Sequence, residues 1–179
     1  FGIDDLVIIP QPTYGEYEIA CHLVGTRVLK PPMLANFHLN LAETMDLIRR
    51  HQPRGIFLCN PNNPTGQYLS QEEVSKILSV AKDSLVILDE AYITFAENTW
   101  ASVDLIDHGN LVIMRSMTKD YALAGLRLGY AVAAESIISV LKRVRPPWNV
   151  SSVAQAAGVF ALKADGYLDT CGMKIKEAK

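Results

Sequence analysis

The sequence has few cysteines and none of them close to another. Cys21, Cys59 and Cys171 are odd in number and widely spaced, which excludes a disulfide framework and the paired spacing of zinc and redox motifs and leaves reduced structural thiols. His22, His38, His51 and His108 show no ligand spacing either, so no metal site is expected. No apolar run approaches the roughly 18 residues of a membrane span, and the opening "FGIDDLVIIP" lacks the basic flank and cleavage pattern of a secretory signal. A cytoplasmic location without a membrane partner is the expectation, and the glycosylation triplet at 149–151 is read as accidental. Charge of one sign is also missing: the net charge is −2, without the basic excess that nucleic acid demands. Neither "GxxxxGK" nor a helix-opening "GxGxxG" occurs, and there is no internal repeat or low-complexity tract.

What is present is a chain of 179 residues, 49% of them apolar, enough for one α/β domain with a proper core. Short β-branched runs alternate with stretches of helical period, the pattern of a mostly parallel sheet flanked by helices. The runs "LVII" (6–9), "GIFLC" (55–59), "LVIL" (85–88), "LVIM" (111–114) and "LGYAVA" (128–133) are apolar on both faces and predict buried strands. Helices are predicted over 14–25, 41–52 and 70–83, the latter two opened by the cap pairs Asn40 with Glu43 and Ser70 with Glu73. Further helices are predicted over 135–145, stopped by Pro146 and Pro147, over 151–164, and from Tyr167 onward.

In open parallel sheets ligands sit beyond the carboxyl ends of the strands. Three of these ends run into polar motifs: "NPNNPTG" after 55–59, "DEAY" after 85–88 and "RSMTK" after 111–114. The first could be a plain turn, and a carboxylate of the second could cap a short helix. Otherwise a carboxylate at the end of a buried strand must find a cation or hydrogen-bond donors. Lys119 follows the third exit beside Ser116 and Thr118, and Arg127 sits among small and apolar residues. If buried, that arginine requires an anion: a carboxylate such as Asp104, Asp107 or Asp120, or a bound phosphate held with the Ser116 hydroxyl. A lysine amine, an anion site and a lone carboxylate together suit an aldehyde cofactor with a phosphate and a basic ring nitrogen, which is pyridoxal 5'-phosphate.

At these positions the sequence resembles the fold type I pyridoxal phosphate enzymes, and among them the class I/II aminotransferases, in four ordered motifs: "PTYGEY", "NPNNPTG", "DEAY" and "SMTKDYALAGLRLGY". The resemblance is to the branch holding histidinol-phosphate aminotransferase and threonine-phosphate decarboxylase. It implies that Lys119 is the Schiff-base lysine and general acid and base, that Asp89 partners the pyridinium nitrogen, and that Asn63 and Tyr92 bond the ring's phenolic oxygen. It further implies that Tyr14 stacks on the ring and that Ser116 and Arg127 hold the phosphate. Thr118 and Asp120 depart from the family's usual residues on either side of the lysine.

The implied function is transfer of an amino group between an amino acid or amino-alcohol phosphate and 2-oxoglutarate, in a homodimer. The alternatives are a decarboxylase on the same scaffold and, in another class, a non-catalytic phosphate-binding domain or inactive fragment. Family members are about twice as long, so residues 1–164 are expected to be part of a cofactor-binding large domain and 165–179 the start of a helix leading to a small one.

Overall fold

The computed structural model describes residues 1–178. Six strands form one sheet in the order β2-β1-β3-β4-β5-β6, with β1 at Leu6–Ile8, β2 at Arg27–Leu29, β3 at Gly55–Cys59, β4 at Leu85–Asp89, β5 at Leu111–Ser116 and β6 at Gly129–Ala133. All neighbours are parallel except β6, which runs antiparallel to β5. The mostly parallel sheet expected from the sequence is therefore present. The helices are α1 (Glu16–Leu23), α2 (Leu41–His51), α3 (Gln71–Val80), α4 (Glu135–Val144), α5 (Ser152–Ala161) and α6 (Tyr167–Ala178).

Strand β2 is absent from the predicted set. It is a three-residue edge strand, Arg-Val-Leu, with none of its residues fully buried, and its pairing with β1 rather than its own composition makes it a strand. Helix α1 is shorter than 14–25 at both ends, which leaves Tyr14 ahead of it. Helix α3 opens with a complete capping box: Ser70 and Glu73 each accept the other's backbone N–H. At α2 the Asn40 side chain accepts from Glu43 N but donates to the Glu43 carboxylate, so the second half of that pair is side chain to side chain.

Side chains alternate across a strand, and the two faces have different coverings. Ile8, Ile56, Leu58, Val86, Leu88, Leu111 and Ile113 pack with Ile48 of α2 and Val74, Ile77 and Leu78 of α3 in the main core. On the other face Val7, Ile9 and Cys59 pack with Tyr17 and Cys21 of α1. The chain leaves β1 in one direction to β2 and returns on its other side to β3, so the sheet has its topological switch point at β1 and β3. Among the described residues no helix is long and apolar enough to cross a membrane, and no group of acidic, histidine and cysteine residues could hold a metal ion.

Candidate active site

The polar exits of β3, β4 and β5 lie side by side because the three strands are adjacent and in register, Cys59 opposite Asp89 and Asp89 opposite Met114. Alternation then separates the neighbouring carboxylates of "DEAY". Glu90 falls on the main-core side, 1% exposed, where Arg115 Nε donates to its Oε2 at 2.6 Å and the Ser102 hydroxyl at 2.9 Å. Its Oε1 is buried without a partner. Desolvation raises the Glu90 carboxyl above its ordinary value, outweighing the opposing pull of Arg115 and Ser102.

Asp89 falls on the other face, 8% exposed, and forms no ion pair among the described residues. The Tyr17 hydroxyl donates to its Oδ2 at 2.6 Å, and Ala91 N donates to its Oδ1 at 3.0 Å. The sequence requirement for a cation or donors is thus met by donors alone. Tyr17 was not among the predicted site residues. Its signal was there, a second aromatic three positions after Tyr14 on a helical spacing, but the partner becomes visible only when the sheet brings β4 beside α1. The Tyr17 ring stacks on Phe57 at 5.0 Å between centroids and makes a T-shaped contact with Tyr14 at 5.4 Å. Burial first, then Cys59 and Asp89, push its phenol far above the ordinary range, so it remains a donor.

The three asparagines of the β3 exit divide in role. Asn60 is fully buried and pairs through its amide with Leu69 N and O, at 2.7 and 3.4 Å. Asn62 ties the exits of β1 and β3 together, accepting from the Thr13 hydroxyl at 2.6 Å and donating to Pro12 O at 3.0 Å. Asn63 uses only its backbone, its N donating to Cys59 Sγ at 3.4 Å, and its side chain lines a groove of about 570 Å³ with Pro61, Pro64, Tyr68, Tyr92 and Phe95. That volume is in the range of small-molecule sites. Cys59, at the end of β3, is buried, its thiol pushed up by desolvation against the weaker pull of Tyr17, the Asn63 amide and nearby Lys119.

Lys119 is exposed on the turn after β5, with Nζ 5.4 Å from the centroid of the Tyr92 ring. Ser116 ends β5, its hydroxyl 2.7 Å from that of Thr118 and accepting from Thr118 N. Gly129, its ladder partner, has no room for a side chain: a Cβ there would stand 2.8 Å from Arg115 O. Arg127, two residues earlier, has a left-handed backbone with φ of 51°. It forms no ion pair among the described residues, and its Nη1 donates only to Ala124 O, at 3.1 Å. Arg127 is exposed rather than buried, so burial does not force an anion beside it, and none of the three carboxylates holds it. Tyr14 is 45% exposed.

An exposed amine, a buried carboxylate without a cation partner and an exposed guanidinium without a carboxylate partner thus lie around the ends of the adjacent strands β4 and β5. The family model for class I and II aminotransferases matches residues 1–177, and the chain belongs to that family. It is 41% identical over 169 residues to histidinol-phosphate aminotransferase of Moorella thermoacetica, covering 92% of this chain and 43% of that protein. With the Cytophaga hutchinsonii enzyme of the same name it shares 37% identity over 175 residues, 97% of this chain and 49% of the other. Among solved structures, histidinol-phosphate aminotransferase from Clostridium acetobutylicum superposes with a TM-score of 0.87 at 28% identity, over 94% of this chain and 51% of that one. L-threonine-O-3-phosphate decarboxylase from Porphyromonas gingivalis does so with 0.78 at 27%, over 92% and 49%. The chain spans about half the length of the relatives it matches.

Proposed function

We propose that this chain is the cofactor-binding part, residues 1–164, of a pyridoxal phosphate-dependent aminotransferase acting on an amino acid or amino-alcohol phosphate, with 2-oxoglutarate and glutamate as the second pair. The observation that carries the reading is the pairing of Lys119 Nζ above Tyr92 with a buried Asp89 that has donors but no cation. These donors satisfy the hydrogen bonds of the carboxylate but leave its charge without a counter-ion, and a protonated ring nitrogen would supply one. Ser116 and Arg127 fit the phosphate, since neither is committed to a carboxylate, and Tyr14, half exposed, is the aromatic side chain that would stack on the ring.

When bound, pyridoxal phosphate supplies an aldehyde carbon and a ring that accepts electrons from the substrate's α-carbon. The residues of this chain do the rest. Lys119 offers the amine that holds the aldehyde and carries a proton, on Nζ, to and from the α-carbon. Asp89, oriented by Tyr17, would keep the ring nitrogen protonated, and Asn63 and Tyr92 would hydrogen-bond the ring's phenolic oxygen. In this reading the working form is a cytoplasmic homodimer, as the resemblance implies. The similarity to named histidinol-phosphate aminotransferases favours amino transfer over decarboxylation. Incubating the protein with histidinol phosphate and 2-oxoglutarate tests the reading: glutamate formation supports it, and release of carbon dioxide from amino acid phosphates without amino transfer overturns it.

A further inference from the structure

Asp120 follows Lys119 directly, and Thr94 stands two residues after Tyr92. The Thr94 hydroxyl donates to Asp120 Oδ2 at 3.1 Å. Among the described residues this is the only hydrogen bond between 117–127 and 89–97. The ladder between β4 and β5 has already ended, its last cross-strand bond running from Glu90 N to Met114 O at 2.8 Å. Beyond it the lysine-bearing turn is held internally or from elsewhere. Met117 N reaches Leu128 O, Leu123 N reaches Met117 O and Ala122 N reaches Lys119 O. Tyr121 stacks on Tyr167 of α6 at 5.9 Å. Asp120 spends its other oxygen, Oδ1, on Tyr121 N at 2.9 Å.

From this geometry we infer that Asp120 is a positioning residue. Its carboxylate, held by Thr94, docks the turn that carries Lys119 onto the turn that carries Tyr92, and so sets where Nζ stands over the site. Asp120 adjoins Lys119 and Thr94 lies two residues from Tyr92, which makes the lever arms short. An ionised acceptor strengthens the bond relative to a neutral one, and Asp120 is only partly exposed. The inference rests on Lys119 being the cofactor-attaching lysine, and its test separates the two.

In the full-length protein, the rate of pyridoxal phosphate attachment to Lys119 is followed by borohydride trapping and peptide mass spectrometry. Affinity for pyridoxamine phosphate, which has no aldehyde, is measured by fluorescence and reports on the socket alone. Asp120→Ala and Thr94→Val are expected to slow attachment about tenfold, the loss of a charge-assisted hydrogen bond, with pyridoxamine phosphate affinity unchanged. Thr94→Ser, which keeps the hydroxyl donor, should recover most of the rate, and the double variant Thr94→Val, Asp120→Ala should be no slower than Asp120→Ala alone. Attachment at the unaltered rate in Asp120→Ala, an equal loss in Thr94→Ser and Thr94→Val, or a parallel loss of pyridoxamine phosphate affinity would overturn the inference. Should Asp120→Ala fail to fold, Thr94→Val decides alone. Failure of the unaltered protein to attach cofactor at Lys119 counts against the aminotransferase reading instead.

Discussion

Replacing Tyr17 by phenylalanine removes one oxygen and leaves the ring. The stack on Phe57 at 5.0 Å and the edge contact with Tyr14 at 5.4 Å are kept, so the change isolates the hydroxyl that donates to Asp89 Oδ2 at 2.6 Å. A hydrogen bond to an ionised acceptor contributes about 1.5–3 kcal/mol. Asp89 is 8% exposed and keeps only Ala91 N as a donor afterwards, which places the expected loss in the upper part of that range, about 2–3 kcal/mol without cofactor. Urea unfolding should show a lower midpoint with an unchanged slope, because the surface exposed on unfolding is the same. The pH dependence adds a second signature. The Tyr17 phenol is raised above 10.0 in the folded state, so as pH climbs past that value the unfolded chain loses a proton that the folded one retains, and stability falls; the phenylalanine variant lacks this component. A midpoint equal to that of the unaltered protein would refute the claim that Tyr17 satisfies Asp89.

Glu90→Gln should flatten the stability profile above pH 4.5: the raised carboxyl is stabilising while protonated and loses that contribution as pH rises from the unfolded value of 4.5 through the folded one. Arg115, whose side chain is 29% exposed, can turn to water when its partner is neutralised, and a profile parallel to the original would contradict the reasoning. Gly129→Ala should cost about 1–3 kcal/mol, the usual penalty of overpacking, because the new Cβ meets Arg115 O, a backbone atom held in the β5–β6 ladder. Amide exchange across β6 would rise, and an unaltered exchange pattern would argue against the close approach.

The buried strands β1, β3, β4 and β5 were legible because each is a short β-branched run with no polar face, and the helices because Asn40, Ser70 and the Pro146–Pro147 pair mark their limits; the run 128–133, also read as a buried strand, is instead the edge strand β6 with Gly129, Tyr130 and Ala131 exposed, because β5 is its only partner. Strand β2 was not, since three residues at a sheet edge take their conformation from β1. At the site, the positions after β3, β4 and β5 could be read from the sequence because a parallel sheet collects its strand ends. The split between Asp89 and Glu90 is a matter of strand parity: the structure gives Arg115 to Glu90 and Tyr17 to Asp89, pairings that span 25 and 72 residues and leave no local trace. Arg127 could be paired with a carboxylate or an anion on sequence grounds, and only the geometry removes the carboxylates.

The role of Lys119 is tested most directly by adding pyridoxal phosphate to the full-length protein, reducing with borohydride and mapping the modified peptide. A reduced adduct on Lys119, absent from Lys119→Ala, is the predicted result. An adduct on any other lysine, or none, would contradict it.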